Sequence, residues 1–263
     1  MADSVEPYEY QTLFECESSY WWYQGLHAVL LDVLKQEGVT STSRVLDAGC
    51  GTGQNLLNIS KCISEHTFGV DLSSHVTPYW RRRGLKRVSL ASVNHLPWPD
   101  CIFDVVVSTD VLECDEVKEK AAYGELWRVA RHDGVIVVVV PAYDWLLSKE
   151  HHQAVHASRR YTKNSLLALL QSRPIHLSRI SYLFTLLFPA IASYRLSLRL
   201  LVDGKSEQPR SELRPLPGFL NHTLYRIMLL ERLLLRAMNL PFGSSLLAVV
   251  RKNIVPQSRF GQV

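Results

Sequence analysis

The stretch "VLDAGCGTGQN" (residues 45–55) decides the fold. It places three glycines at alternate positions directly after a short apolar run and an aspartate. Glycine costs backbone entropy, so such a cluster indicates a turn that another group approaches closely. A helical pattern, "GQNLLNISKCIS", follows at once. We therefore predict a buried strand, a glycine-rich turn and a helix whose N-terminus can bind a ligand.

The same order of elements recurs downstream. The segments "HTFGVDLS", "RVSLASV", "FDVVVSTDVL" and "GVIVVVVPA" are predicted strands, and helical patterns separate them. The run "VIVVVV" lacks alternation, which is typical of a strand covered on both faces. With "IHLSRISYLF" and "SSLLAVVRK" as the last two strands, the pattern predicts an α/β fold. Its core would be a doubly wound, mostly parallel, Rossmann-like sheet of seven strands.

Two segments flank or interrupt this pattern. Residues 1–42 contain the aromatic helix "SSYWWYQGLHAVLLDVLKQEG" and are predicted to form N-terminal lid helices. Residues 43–263 would form the main domain, with a helical insertion at about 186–240 before the last strand. Within the insertion we expect helices at 186–202 and 222–238, joined by the polar loop "DGKSEQPRSELRPLPG".

The charge of the chain is unevenly distributed. Residues 1–150 hold 13 Lys and Arg against 21 Asp and Glu, whereas residues 151–263 hold 16 against 4. The basic half could be an ordinary solvated surface, or a face that meets anionic lipid or a phosphorylated substrate. Nucleic acid is not expected as a partner, because only "RRRGLKR" clusters basic residues.

The remaining composition favours an intracellular protein. The five cysteines show neither CxxC nor zinc-ligand spacing, which suits free thiols in a reducing compartment. The start "MADSVEPYEYQ" does not resemble a secretory signal. The apolar stretch "YLFTLLFPAIASYRLSLRLLV" is interrupted by Pro189, Arg195 and Arg199, so it is not predicted to span a membrane. We expect a cytoplasmic protein, with peripheral membrane contact as an open alternative.

Two aspartates restrict the ligand of the glycine turn. Asp47 precedes the glycines, where its carboxylate would repel a pyrophosphate and attract a cationic amino group. Asp71 follows 20 residues after Gly51, at the end of the second predicted strand. A carboxylate at that place can accept the hydroxyls of a ribose. The expected ligand is therefore a nucleoside that carries an amino acid.

These motifs, with "LPWPDCIFDVVVSTDVLE" and "ELWRVARHDGVIVVVVPA", resemble class I S-adenosylmethionine-dependent methyltransferases over about residues 43–142. The resemblance implies that S-adenosylmethionine is the cofactor, S-adenosylhomocysteine the product, and that no metal is needed. It also implies that Asp47, Gly49 and Gly51 hold the methionine end and that Asp71 holds the ribose. The remaining cofactor-binding residues implied by the resemblance are Cys50, Leu72, Ser92, Val93 and Asp110.

Two positions depart from the family's pattern. Ser92 stands where relatives commonly carry an aspartate that binds the adenine amino group, so Val93 would offer its backbone amide instead. Cys114 stands where many relatives carry a histidine near the site. These departures leave open that the protein binds the cofactor as a non-catalytic partner.

Further segments resemble one branch of the family and suggest acceptor-binding residues. "SSYWWYQG" resembles an aromatic N-terminal helix, in which Trp21, Trp22 and Tyr23 would cover the acceptor or pack in the core. "HASRRYTKNSLLALL" resembles a loop after the fifth strand. There Arg159 and Arg160 would bind an acidic substrate group or anchor the loop. Tyr143 is assigned to the same acceptor site.

Histidines of this loop are candidates for proton transfer. His156 could act as a general base near neutral pH, or it could order the loop by binding backbone. His151 and His152 with His156 do not predict a metal site, because no carboxylate or cysteine accompanies them. A base is needed only where the acceptor loses a proton as it attacks.

The sequence thus predicts methyl transfer to a hydrophobic small molecule by oxygen, nitrogen or carbon methylation. A saccharide or lipid-linked glycan is the alternative acceptor. The helical insertion could form an apolar acceptor pocket, or a face that lies in the membrane interface. It could also simply pack on the sheet or form a homodimer contact.

Overall fold

The computed structural model describes residues 7–147, 156–201 and 216–253, and its centre is one seven-stranded sheet. The strands are β1 (Val45–Ala48), β2 (Thr67–Asp71), β3 (Val88–Leu90), β4 (Phe103–Thr109), β5 (Ala130–Pro141), β6 (Ile175–Leu183) and β7 (Ser245–Lys252). Their spatial order is β3-β2-β1-β4-β5-β7-β6. β7 runs antiparallel to both of its neighbours, and the other pairs are parallel. The predicted Rossmann-like α/β class is confirmed.

Helices cover both faces of this sheet. They are α1 (Pro7–Cys16), α2 (Trp21–Gln36), α3 (Gln54–Cys62), α4 (Thr77–Arg82), α5 (Glu119–Val129), α6 (Lys163–Leu170), α7 (Phe188–Leu201) and α8 (Gly218–Ala237). α1 is absent from the sequence-based prediction. The predicted insertion before the last strand contains α7 and α8, and its predicted loop lies largely outside the described residues. The predicted division of the chain at residue 43 stays a prediction.

The central strands divide the core into two layers. On β4, Val106 belongs to the apolar cluster that includes Leu126 of α5. Its neighbours Val105 and Val107 belong to the opposite cluster, which includes Leu30 of α2. Successive strand side chains point to opposite faces, so the unbroken valine runs place apolar groups under helices on both sides.

α8 lies directly against α2 and joins the insertion to the N-terminal helices. A Cβ on Gly25 would approach Met228 to 2.8 Å, so the absence of a side chain permits this close contact. The Asn221 side chain accepts a 2.9 Å hydrogen bond from the amide of Trp21 and donates a 2.8 Å bond to the carbonyl of Ser19. This contact caps the start of α2. Across the described ranges, no helix has both the length and the hydropathy of a membrane-crossing segment.

Candidate functional site

The glycine-rich turn lies at the carboxyl end of β1, between its neighbours β2 and β4. In doubly wound sheets, ligands bind at this point, where the strand order reverses. Gly49, Gly51 and Gly53 all have positive φ angles, of 85°, 50° and 91°. Side chains at Gly49 and Gly53 would overlap Val111 and Leu85. At Gly51 an added Cβ would lie 3.8 Å from Leu13, an ordinary van der Waals contact, so the positive φ rather than lack of space favours glycine there.

Asp71 at the end of β2 is joined to this turn. Its Oδ2 accepts a 2.8 Å hydrogen bond from the amide of Gly51, and its Oδ1 accepts a 3.0 Å bond from the amide of Ser73. The Trp80 indole donates to the Gly51 carbonyl at 2.8 Å. These contacts fix the orientation of the Asp71 carboxylate beside the turn, where the sequence predicts ribose binding.

Asp47 lies behind the turn and is fully buried. Neither of its carboxylate oxygens has a hydrogen-bond partner among the described residues. Burial, together with the nearby carboxylates of Asp71 and Glu17, raises the pKa of Asp47 to about 7. An ionised Asp47 therefore needs a positive or hydrogen-donating group beside it. The cationic amino group at the methionine end of S-adenosylmethionine, which the sequence assigns to Asp47, is a group of this kind.

A cavity of about 470 Å³ opens in front of the turn. Most of the predicted site residues line it, and these are Trp21, Trp22, Tyr23, Gly49, Cys50, Gly51, Asp71, Leu72, Ser92, Val93, Asp110, Arg159 and Arg160. They come from the start of α2, from the ends of four strands and from the loop that carries Arg159 and Arg160. The fold therefore brings together positions that are up to 139 residues apart in sequence.

The N-terminal helices cover this cavity. Glu17 follows α1 and forms a buried 2.6 Å ion pair with Arg83. Arg83 also donates to the Thr52 hydroxyl at 2.6 Å, and Thr52 hydrogen-bonds Glu17. Burial raises the pKa of Glu17, although Arg83 opposes the shift. The cluster ties α1 to the glycine-rich turn, and Glu17 itself lines the cavity.

The aromatic start of α2 forms one apolar wall. The Trp22 ring stacks on Phe184 with 5.0 Å between ring centroids and 4° between planes. Trp21 meets Phe184 edge to face at 6.1 Å and is nearly buried. Tyr23 packs at right angles to Trp22, and burial raises the pKa of Tyr23. Core packing and cavity lining are therefore combined in these residues.

Two acidic side chains at the end of β4 form the polar wall. Asp110 has a positive φ of 53°, and burial raises its pKa to about 7 against the opposing charge of Arg160. Burial and Asp110 raise the pKa of Glu113 well above its usual range. Glu113 Oε2 is buried without a hydrogen-bond partner. The raised pKa values allow this pair to hold a proton at a pH at which ordinary carboxyls are ionised.

Arg159 anchors a loop rather than facing the cavity with its whole guanidinium. Its Nε donates to the Leu112 carbonyl at 3.1 Å, and Nη2 donates to the carbonyls of Cys114 and Val117. The Arg160 guanidinium reaches the Ala142 carbonyl at 3.4 Å. Arg159 therefore anchors the loop, which is one of its two predicted roles. The charge of Arg160 also acts on Asp110.

Three predicted residues do not line the cavity in the described part of the chain: Asp47, which lies behind the turn, Tyr143 and His156. His156 has a φ of 47°, and its carbonyl accepts a 2.8 Å bond from the Asp115 amide. Tyr143 stacks on Tyr182 with 5.4 Å between centroids. The base role of His156 and the acceptor role of Tyr143 stay predictions. His151 and His152 lie outside the described residues, among which no metal-binding cluster occurs.

Sequence reasoning missed Glu17, Asn55 and Glu113 as cavity residues. Asn55 donates to the Thr109 hydroxyl at 3.0 Å, while its Oδ1 is buried and unpartnered. Glu113 belongs to the quoted segment "TDVLE", so its position beside Asp110 was a usable signal. Glu17 gave none, because its partner Arg83 is 66 positions away in sequence.

Residues 46–138 match the family model described as a methyltransferase domain. This segment includes the glycine-rich turn, Asp71 and both acids of the polar wall. The match thus covers the part of the fold that forms the floor of the cavity.

Three curated proteins are similar over part of this chain. An uncharacterized protein of Methanocaldococcus jannaschii, MJ0638, is 33% identical over 106 residues, which is 40% of this chain and 44% of that protein. The sterol 24-C-methyltransferase of Eremothecium gossypii is 28% identical over 47% of this chain and 34% of its own length. The malonyl-[acyl-carrier protein] O-methyltransferase of Geobacter sulfurreducens is 34% identical over 40% and 41%. The chain spans less than half the length of these relatives.

Solved structures share the fold at low identity. A chain from the complex of the Haloferax volcanii Trm112 methyltransferase activator with a candidate methyltransferase covers 96% of both chains, with a TM-score of 0.62 and 15% identity. The [4+2]-cyclase SpnF covers 86% of this chain and 80% of its own, with a TM-score of 0.54 and 19% identity. These two likenesses show the architecture alone.

Proposed function

This chain belongs to the class I S-adenosylmethionine-dependent methyltransferases, and we propose that it methylates a hydrophobic small molecule. The observation that carries the proposal is the arrangement of residues on the two sides of one cavity. The glycine-rich turn and Asp71 form one side of the cavity, and the aromatic start of α2 with the Asp110–Glu113 pair forms the other.

The cofactor side fits a cationic nucleoside. Asp47 and Asn55 supply buried acceptor oxygens without partners, and Asp71 is held in a fixed orientation. A ligand with an ammonium group and ribose hydroxyls would satisfy such acceptors. When bound, S-adenosylmethionine supplies an electrophilic methyl group on its sulfonium. The protein's own contribution is to hold the acceptor in line with that group, and good orientation is worth roughly 7–11 kcal/mol.

The acceptor side combines an apolar wall with a single acidic end. Trp22, Tyr23 and Leu26 face the cavity, as do Ile191 and Tyr194 of α7. Asp110 and Glu113 can accept a hydrogen bond from a hydroxyl or amine, because Glu113 Oε2 has no partner. We infer a largely apolar acceptor that carries one hydrogen-bond donor. The sterol 24-C-methyltransferase relative acts on a sterol by name, which agrees with this class.

Proton removal, where the acceptor requires it, is assigned to the Asp110–Glu113 pair. Both side chains line the cavity, whereas the described position of His156 does not. A carboxyl with a pKa near neutrality is suited to accept a proton as the acceptor attacks. Arg160 stabilises the ionised form of the pair.

Two other functions keep specific support. The strongly basic C-terminal half would accommodate a saccharide or lipid-linked glycan that carries phosphate. Ser92 and Cys114, which depart from the family's pattern, would fit a protein that binds the cofactor without methyl transfer. All five cysteines are free thiols, in line with a reducing compartment, and the cytoplasmic location stays a prediction.

The test is methyl transfer from S-adenosylmethionine with a labelled methyl group into an extract of the source cells. After incubation with purified protein, the extract is separated into organic, aqueous and macromolecular fractions. We expect label in the organic fraction, and none with Asp71→Ala at the same concentration. Label confined to the aqueous fraction would favour the saccharide alternative. Binding of S-adenosylhomocysteine without any label would favour the non-catalytic role.

A further inference from the structure

A cluster of exposed apolar side chains surrounds the start of α7. Trp145, Leu186 and Phe242 are each 40–47% exposed. Trp145 and Phe242 both contact the Phe188 ring, with centroids 6.0 and 5.7 Å apart. Trp145 and Phe242 therefore meet around Phe188, and Leu186 lies two residues before Phe188 in the chain.

The outer side of α8 extends this apolar character. Phe219, Leu230 and Leu233 are 77%, 54% and 51% exposed. The buried Glu231 accepts hydrogen bonds from the amides of Phe184, at 2.5 Å, and Leu186, at 2.9 Å, so the start of α7 is fixed against the middle of α8. Exposed apolar side chains are normal singly, but a grouped set marks an interaction surface.

The charge on the α7 and α8 side of this surface is predominantly positive. The described residues 156–201 contain seven Lys and Arg, and residues 216–253 contain five. The only carboxylate side chain in those two ranges is Glu231, which is buried. On α8, the exposed Arg226 lies between Phe219 and Leu230, on the same side of the helix. Asp144, beside Trp145, is exposed, so the basic character belongs to the α7 and α8 side of the surface, where it complements an anionic, partly apolar partner.

The patch also lies beside the cavity. Ile191, Tyr194 and Arg195 of α7 line the cavity, and Tyr194 is exposed at the same time. Arg195 donates to the Leu146 carbonyl at 2.7 Å, next to Trp145. One helix therefore contributes both to the cavity wall and to the outer apolar patch.

We propose that the outer side of α7 and α8 lies on the surface of an anionic phospholipid membrane. Phe219, Leu230, Leu233, Trp145, Leu186 and Phe242 insert among the acyl chains near the headgroups, and Arg226 with its basic neighbours meets the phosphates. This surface would place the cavity wall next to the bilayer. That consequence, the direct supply of a lipid-like acceptor, rests on the proposed function, whereas the binding itself does not.

The test is flotation of the full chain with vesicles. Vesicles of phosphatidylcholine alone are compared with vesicles that contain phosphatidylglycerol. We expect binding to the anionic vesicles to be stronger, by about fivefold for each basic side chain at the surface, and to weaken as salt rises. Leu233→Ser should lower binding severalfold, and Leu230→Ser with Leu233→Ser should lower it further.

Matched variants lie at the other edge of the sheet. Leu90 on β3 is 51% exposed, like Leu233, and Lys86 is exposed like Arg226. Leu90→Ser and Lys86→Glu should leave flotation unchanged, whereas Arg226→Glu should weaken it. Equal effects of the two leucine variants, or protein that stays at the bottom with anionic vesicles, would overturn the proposal. The proposal would also be overturned if light scattering shows that the wild type is a dimer and that the α8 variants alone dissociate it, because the surface would then be a contact between two copies.

Discussion

The carboxylate of Glu17 lies 2.6 Å from the guanidinium of Arg83, and each side chain is only 7% exposed. This ion pair joins the segment after α1 to the region that follows α4, and through Thr52 to the glycine-rich turn. The cover of the cavity therefore depends on a buried pair rather than on helix propensity alone.

Removing Arg83 should destabilise the protein more at high pH than at low pH. Arg83→Met leaves a buried unpaired carboxylate, which costs about 3–5 kcal/mol when ionised. Burial already raises the pKa of Glu17, so protonation relieves the cost as the pH falls. Urea unfolding at pH 8 and pH 4.5 measures both values. The double change Glu17→Gln with Arg83→Met should recover part of the loss, and a loss of equal size at both pH values would contradict this account.

Asp47→Asn should stabilise the cofactor-free protein at pH 8 and leave it unchanged near pH 4. The folded-state pKa of about 7 exceeds the unfolded value of about 3.9, so the native state binds the proton more tightly. The free energy of unfolding of the wild type therefore falls as the pH rises from about 4 to 7, and above pH 7 this loss stays constant. We expect a gain of about 2–4 kcal/mol at pH 8.

The measurement is the free energy of unfolding in urea across that pH range. Asp104→Asn, a half-buried aspartate paired with Arg131 on the surface, serves as a control that should not gain stability. A pH-independent difference between Asp47→Asn and the wild type would show that the carboxyl ionises at its ordinary pKa.

Asp110→Asn should remove the pH dependence of turnover in the neutral range. If the acceptor loses a proton to the acid pair, the rate rises with pH through about 7 and then levels off. The variant should lose about 10²-fold or more in kcat. Labelled methyl transfer at pH 5.5–9 gives the profile. His156→Ala is the comparison. If only that variant loses the rise in rate through neutral pH, the base is His156 instead.

The sequence predicted the sheet well because each strand carries its own local signal. Unbroken valine runs, glycine turns and acids at strand ends define β1, β2, β4 and β5 without knowledge of their partners. Parallel strands bring these ends to one edge of the sheet, so Gly51 and Asp71 of the cofactor side lie at the same edge as Asp110 of the acceptor side.

Long-range contacts set the limit of that prediction. The contacts that hold α1 are distant in sequence, such as that of Phe14 with Tyr79 at 4.8 Å between ring centroids. The acceptor side likewise depends on Trp22 stacking on Phe184, which no local pattern encodes. The place of His156 after the fifth strand suggested that it lies at the cavity. Its carbonyl instead accepts a hydrogen bond from the Asp115 amide, and His156 does not line the cavity.

The central claim is that the glycine turn and Asp71 hold S-adenosylmethionine, and calorimetric titration with S-adenosylhomocysteine tests it most directly. Asp71 is oriented by the amides of Gly51 and Ser73, and a hydrogen bond to a charged group is worth about 1.5–3 kcal/mol. We predict one site per chain in the wild type and in the surface control Asp100→Ala, with roughly tenfold to hundredfold weaker binding in Asp71→Ala. Equal affinity in all three proteins, or no binding to the wild type, would contradict the account.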